Sequence, residues 1–342
     1  MPMSLAGLRT PLALAATVTL AALAPAPLAA QGASVHAGCQ GQVVSVRDAC
    51  QVAVDVFSVM APQLTGAFAG GEPLIGGVRG FSRFAVALRA TGVDGFLPDL
   101  DGRDFNTTGV QQSNIATEPQ VVPAPVLDVG IGLYRGFSMG VGTLGNGRIG
   151  SLSMIGNLSY LPEVDEEDIF LETPDGGLKV GVGARLGLLE GISMLPDLAV
   201  TVHDRSLPTL NIAASATSED SVSVDDLSLR TTSWRLLASK RFSVLGLTVG
   251  AGQDRSRTSA DVSATVADPI TGVPLRSAPV RLDQSITRAS MFAGVSLGLG
   301  PMSLAAEVGR MGGASVATYN SFADEPSDVA RLYGSAGLRL AF

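Results

Sequence analysis

After its first thirty residues the chain has no run of 18 or more apolar residues, so no transmembrane helix is expected. It also lacks a basic cluster. With 23 basic against 31 acidic side chains and a formal net charge of −8, nucleic acid is not an expected partner. Cysteine is limited to Cys39 and Cys50, and histidine to His36 and His203. A structural metal site of the cysteine type normally uses four ligands, and only His36 accompanies the two cysteines. Neither a metal nor a cofactor is therefore expected.

What the chain does have begins at its N-terminus. "MPMSLAGLR" carries one positive charge, Arg9, and "PLALAATVTLAALAPAP" supplies an apolar core before the small residues of "LAAQGAS". That is the layout of a secretory signal peptide, residues 1–30, cleaved between Ala30 and Ala33. Pro25 and Pro27 argue against an uncleaved anchor. A lipid anchor on Cys39 lacks the Leu expected three positions upstream in "VHAG". An exported chain meets an oxidising compartment, where Cys39 and Cys50 read as one disulfide.

The rest of the chain repeats a period of two, the mark of strands with different surroundings on their two sides. In "FSRFAVALRATG", Phe84, Val86, Leu88 and Ala90 alternate with Arg83, Ala85, Ala87, Arg89 and Thr91. "VLDVGIGLYRG", "SLSMIGNLSYLP", "LKVGVGARLGLL" and "DLAVTVHDR" repeat the pattern, and so do "LGLTVGAGQD", "ASMFAGVSLGLG" and "MSLAAEVGR". "LRTTSWRLLASKRF" is the poorest, because Arg230 and Thr232 share parity with Trp234 and Leu236. The last, "RLYGSAGLRLAF", sets Leu332, Leu338, Leu340 and Phe342 against Arg331, Tyr333 and Arg339. Ten strands result, or twelve if "FSMGVGTLG" and part of 255–284 form a further pair. The latter segment reads as an extended hairpin turning near Asp268–Gly272. The 41 glycines, roughly 12% against an average near 7%, recur on the inner faces, as at Gly181, Gly183, Gly250 and Gly252. They leave room inside a small barrel.

The connections alternate in length. Links at about 95–121, 161–177, 206–225, 255–284 and 312–327 are long and polar, whereas 135–147, 189–196, 242–245 and Gly300–Pro301 are short. A β-sandwich has no reason to sort its loops this way. An even-stranded membrane barrel does, with short turns at one end and long loops at the other. The fold expected is all-β, a transmembrane antiparallel up-and-down β-barrel over residues 79–342.

Residues 31–78 form a separate piece. Ser45 and Asp48 have capping-box spacing, and Ala49, Val52, Ala53, Val56, Val59 and Met60 make a helical apolar stripe ending at Pro62. This short helical segment is expected either to plug the lumen or to lie at its periplasmic mouth.

With the signal peptide and the terminal strand, the chain resembles a Gram-negative outer-membrane β-barrel protein. Tyr333, Leu338, Leu340 and Phe342 are similar to the C-terminal insertion signal of that class. The resemblance implies an outer-membrane location and, as partners, the barrel-insertion machinery, outer-membrane lipid and lipopolysaccharide. A narrower likeness links "GGEPLIGGVRGFSRFAVALRA" to FadL-like hydrophobic-compound transporters. Glu72, Pro73 and Leu74 stand where that family has Asn-Pro-Ala, and fourteen strands exceed this length.

The charged residues of inner parity are Arg83, Arg89, Asp128, Lys179, Arg185, Arg235, Asp254, Glu307, Arg331 and Arg339. They line the lumen, bracing the barrel or forming a mostly basic permeation path for a small-molecule cargo. "PEVDEEDIFLETPDGG", residues 162–177, carries seven acidic residues and no basic one, and reads as a solvated outer loop. His203 is the one strand histidine, and its neighbour Asp204 points to the opposite face, so no enzyme is expected. The functions expected are passive, porin-like transport or a structural role. The alternatives are adhesion through the long loops and, third, a membrane-embedded hydrolase.

Overall fold

The computed structural model describes residues 33–69, 72, 83–140, 146–161, 163–165, 169–192, 194–314, 316–323 and 329–342. The signal segment and most of the junction before the first strand lie outside the described residues, as does the 78/79 boundary. Ten strands form the wall: β1 Phe84–Asp99, β2 Asn114–Tyr134, β3 Ser151–Tyr160, β4 Leu178–Leu189, β5 Asp197–Ser206, β6 Ser221–Phe242, β7 Leu245–Ala267, β8 Val280–Leu299, β9 Met302–Met311 and β10 Arg331–Ala341. Each pairs antiparallel with its neighbours in sequence, and β10 pairs with β1 from Ala85↔Ala341 to Val93↔Tyr333. That last ladder closes the barrel, which leaves the wall without an unpaired edge in hydrocarbon. Phe342 exchanges both backbone hydrogen bonds with Phe84, and their rings stack at 6.2 Å.

Parity divides the wall as the sequence pattern requires. Leu88 (62% exposed), Val180 (68%) and Val249 (57%) face out, while Arg89, Asp128 and Thr248 face in and are buried. On β8 the outward apolar positions run from Leu299 up to Ala289. The ten steps between them, at about 3.3 Å each and tilted as barrel strands are, make a band about 25 Å tall.

The strand count is ten and not twelve. Phe137–Gly140 pairs with Asn146–Ile149 in a separate two-stranded sheet at the short-turn end, outside the wall. The 255–284 segment adds no spanning pair. It completes β7 and opens β8, turning through Asp268 to Val273, and Pro274–Arg276 folds back on β7.

The long links are shorter than their polarity implies, because the strands continue above the apolar band with polar outward faces. This also explains the misfit in β6. Arg230 and Thr232 do face outward, and both bond to Asp204 of β5, Arg230 Nε at 2.8 Å and Thr232 Oγ1 at 2.7 Å. The acidic 162–177 segment is likewise not all loop. Its Ile169–Glu172 pairs with Leu210–Ser215, which pairs with β6, so the sheet grows outward from the barrel.

The N-terminal segment runs through the barrel. Helix α1 (Ala37–Gln40) and helix α2 (Arg47–Ala69) are joined by the Cys39–Cys50 disulfide, with Cα atoms 5.6 Å apart. Of the two placements the sequence left open, α2 takes the lumen, and specifically its long-loop half. At its N-terminal end, Asp48 accepts from the backbone of Asn106 (3.0 Å) and Gln111 (2.9 Å) in the loop after β1. Asp48 therefore does not close a capping box on Ser45, and α2 begins after a 3-10 turn at Val44–Val46. Gln42 bonds Ala278 before β8, and Ala33 N donates to Thr318 O in the last loop. Further along, the helix meets deeper positions on β8, first Gln284 and then Arg288. Its buried stripe, including Val52, Val56 and Phe57, packs on Val224, Val262, Ala264 and Leu282 of the upper wall. Burying each such side chain stabilises by about 1.5–3 kcal/mol.

Pro62 does not end α2; it lies inside it. Proline removes the amide that should serve the carbonyl four residues back. Here Gln284 Nε2 donates to that carbonyl, Ser58 O, at 3.2 Å, and Arg288 Nη2 donates to Pro62 O at 2.8 Å. The wall supplies what the helix lost.

Asp55 fixes the helix to the last loop, accepting from Asn320 N (2.9 Å), Tyr319 N (3.1 Å), Asn320 Nδ2 (2.8 Å) and Gln51 Nε2 (3.1 Å). Burial nevertheless pushes its carboxyl above the ordinary 3.8, outweighing these donors. The folded state then binds this proton more tightly than the unfolded chain, so stability falls as pH rises from 3.8 through the raised value and is level above it. The difference in hydrogen-exchange protection of α2 between the native chain and Asp55→Asn should vary across that window. A difference independent of pH would contradict this assignment.

Candidate functional site

The lumen below α2 holds the chemistry. The wall contributes buried Arg89, Arg185, Arg205, Arg235 and Arg288 against Asp128, Asp254 and Glu307, an excess of cation. Each lies on an inward parity position, and two inner-face glycines show why the large ones fit. A Cβ at Gly252 would stand 2.8 Å from Arg235 Cγ, and one at Gly309 would collide with the Tyr333 ring. Those glycines are where large neighbours cross the lumen.

On β1 and β2, Arg89 Nε donates to Asp128 Oδ2 at 3.0 Å, and its Nη1 to Thr91 Oγ1 at 2.9 Å. On β6, Arg235 is 0% exposed, 4.0 Å from Asp254 and 3.9 Å from Glu307, with its guanidinium 5.4 Å from the centroid of Phe292. Tyr333 Oη donates to Glu307 Oε1 at 2.9 Å. A further counter-charge comes from the N-terminal segment. Glu72 is buried, its Oε1 accepts from Thr201 Oγ1 at 2.8 Å, and it lies 3.6 Å from Arg185. Glu72 N in turn donates to Glu307 Oε2 at 2.9 Å. One residue outside the wall thus joins three strands.

Of the lumen residues read from sequence, Arg89, Asp128, Arg185, Asp254 and Glu307 are brought into these buried contacts. Lys179, Arg331 and Arg339 are half-buried on the inner face; Arg331 lies over the Phe96 ring at 5.0 Å, and Arg83 is exposed at the short-turn rim. Sequence reasoning missed Glu72, which entered only as a mismatch to another family's motif, and missed Arg205 and Arg288. The parity of Arg205 and Arg288 within β5 and β8 was the available signal. In the terminal strand Leu338, Leu340 and Phe342 face outward, but Tyr333 is 2% exposed and points into the lumen. Its hydrogen bond to Glu307 gives it a structural reason to be aromatic and hydroxylated.

His203 is 1% exposed, and neither ring nitrogen has a hydrogen-bond partner among the described residues. Its cross-strand partner is Ser233, which in turn faces Asp254. A nucleophilic relay needs the histidine between serine and carboxylate. Here the serine lies between the other two. Asp204, the sequence neighbour, faces outward to Arg230. At the long-loop end the wall keeps a side cavity of about 530 Å³, lined among others by Lys179, Leu207, Leu229, Thr258 and Gln284.

Breaking a buried pair is expected to cost more than replacing it. Asp128→Ala leaves Arg89 without its carboxylate and should lower stability by about 3–5 kcal/mol, read by urea unfolding in detergent micelles. Arg89→Met with Asp128→Leu should cost clearly less. Equal losses would mean that the pair carries no penalty of its own.

No protein-family model matches the sequence, and no curated protein matches it. Among solved structures the chain is similar to Neisserial surface protein A, at 13% identity over 76% of this chain and 97% of that one, with a TM-score of 0.26. It is also similar to the translocator domain of the autotransporter NalP from Neisseria meningitidis, at 12% identity over 88% and 99%, with a TM-score of 0.34. The Ralstonia pickettii toluene transporter TbuX aligns at 10% identity over 77% and 89%, with a TM-score of 0.19. The fold itself rests on the chain's own strand pairing, and it is a ten-stranded transmembrane β-barrel of the outer-membrane type.

Proposed function

We propose that this chain is an outer-membrane barrel that does not conduct and that acts at the cell surface, through its extended walls and long loops. The observation that carries this reading is the filled lumen. Helix α2 occupies the long-loop half, held by Asp48, Asp55 and Gln42, and Glu72 bridges the wall beneath it. A porin needs a continuous aqueous path, and narrow barrels are usually filled by side chains. Here the basic excess that suggested anion transport is reduced by Glu72, and Arg89, Arg185 and Arg235 lie beside carboxylates.

The remaining parts of the reading follow the same physics. The long loops face outward, so the exported N-terminus ends at the cell surface. The cleaved segment 1–30 and the outward Leu338, Leu340 and Phe342 serve export and insertion. Hydrolysis is not part of the proposed function, because His203 is enclosed and its row has the wrong order for a relay. Transport of a small cargo remains the competing reading, and conductance separates the two. In planar bilayers the purified full chain should give no stable channels at neutral pH. Regular single-channel steps would favour transport and overturn the closed-barrel proposal.

A further inference from the structure

Above the apolar band, on the outward face of β6 and β7, cations stand close together. Arg230 lies directly across the strand pair from Arg257, and Thr232 lies across from Arg255. Like charges in facing positions on one side of an antiparallel pair destabilise it unless an anion intervenes. Arg230 has such an anion in Asp204, at 2.8 and 3.1 Å. Arg255 and Arg257 are exposed and make no salt bridge among the described residues, although Asp283 shares their face, diagonal to Arg257 on β8. Arg281, further out, is already paired with Asp261 at 3.0 Å.

Their height is defined by the neighbours. Trp234, the one tryptophan of the chain, faces outward at 48% exposure and pairs with Gln253, its Nε1 donating to Gln253 Oε1 at 3.4 Å. Tryptophan concentrates at the membrane interface, where an apolar ring body and a polar N–H both find partners. Arg255 and Arg257 lie two and four residues beyond Gln253 on the same face, about 5–10 Å further along a tilted strand. That depth is where lipid headgroups begin. On β8, Thr287 and Ser285 sit opposite Arg255 and Arg257 and add hydroxyl donors on the same face.

We infer that Arg255 and Arg257, with Arg230 and the hydroxyls of Ser285 and Thr287, form a site for the phosphorylated headgroup of an outer-leaflet glycolipid. Guanidinium groups bind phosphate oxygens through paired N–H donors, and a phosphate beside Arg255 and Arg257 supplies the counter-anion that Asp204 supplies to Arg230. The acyl chains of such a lipid then lie down the apolar wall past Trp234, Met291 and Val249. This inference needs only the barrel and its orientation in the membrane, and it stands whether or not the lumen conducts.

The test uses the full chain in detergent micelles, with lipid binding measured by native mass spectrometry. The probes are bisphosphorylated lipid A, its dephosphorylated form and inorganic phosphate. Arg255→Gln with Arg257→Gln should weaken binding of the bisphosphorylated lipid at least tenfold. The dephosphorylated lipid should bind weakly and equally to both proteins. Arg241→Gln, which removes one charge at the short-turn rim, should bind as the native chain does. Unchanged heat-dependent migration shows that each variant keeps its barrel. Equal binding by the double variant overturns the site, as does an equal loss in Arg241→Gln. Displacement of the lipid by inorganic phosphate at equal concentration overturns the lipid assignment and leaves a small-anion site.

Discussion

Everything in this molecule depends on the ladder between β10 and β1. Within hydrocarbon each backbone N–H and C=O must find a partner in the protein, and a sheet with a free edge cannot offer that. The pairing from Ala85↔Ala341 to Val93↔Tyr333 removes the edge, and the Phe84–Phe342 contact ends it at the short-turn rim. Once ten strands close, the period of two sorts every side chain between lipid and lumen. The circumference then limits what the lumen can hold. Gly252 and Gly309 are small because Arg235 and Tyr333 are not.

A narrow polar lumen raises a second problem. Charges buried there lose their hydration and are tolerated only with partners. The wall alone carries more arginine than carboxylate, and the N-terminal segment contributes Glu72. The same segment depends on the wall in return. Pro62 would weaken an isolated helix, yet Gln284 and Arg288 serve the carbonyls around it. Helix and barrel are therefore one folding unit, and neither is complete without the other.

Much of this was legible in the sequence. The alternation, the sorting of links by length and the final "RLYGSAGLRLAF" gave ten strands and their closure, because lipid imposes its pattern residue by residue. Leu88 and Arg89 could be placed on opposite faces from parity alone. Three things were not legible. The strands outlast the apolar band, and above it Arg230 and Thr232 look like errors of parity although they face outward beside Asp204. The helix outlasts Pro62 because of contacts from residues more than 220 positions away. Glu72 carries no local signal, since its partners Thr201, Arg185 and Glu307 come from three separate strands of the wall. Single positions that bridge distant elements leave no periodicity to read.

The threaded N-terminus is the claim from which the filled lumen follows, and its sidedness can be measured directly. An epitope inserted after Ala33 in the full chain should be labelled by antibody on intact cells, since Ala33 is bonded to Thr318 at the long-loop end. Labelling that appears only after the outer membrane is permeabilised would place this end on the inner side and contradict the passage of α2 through the barrel.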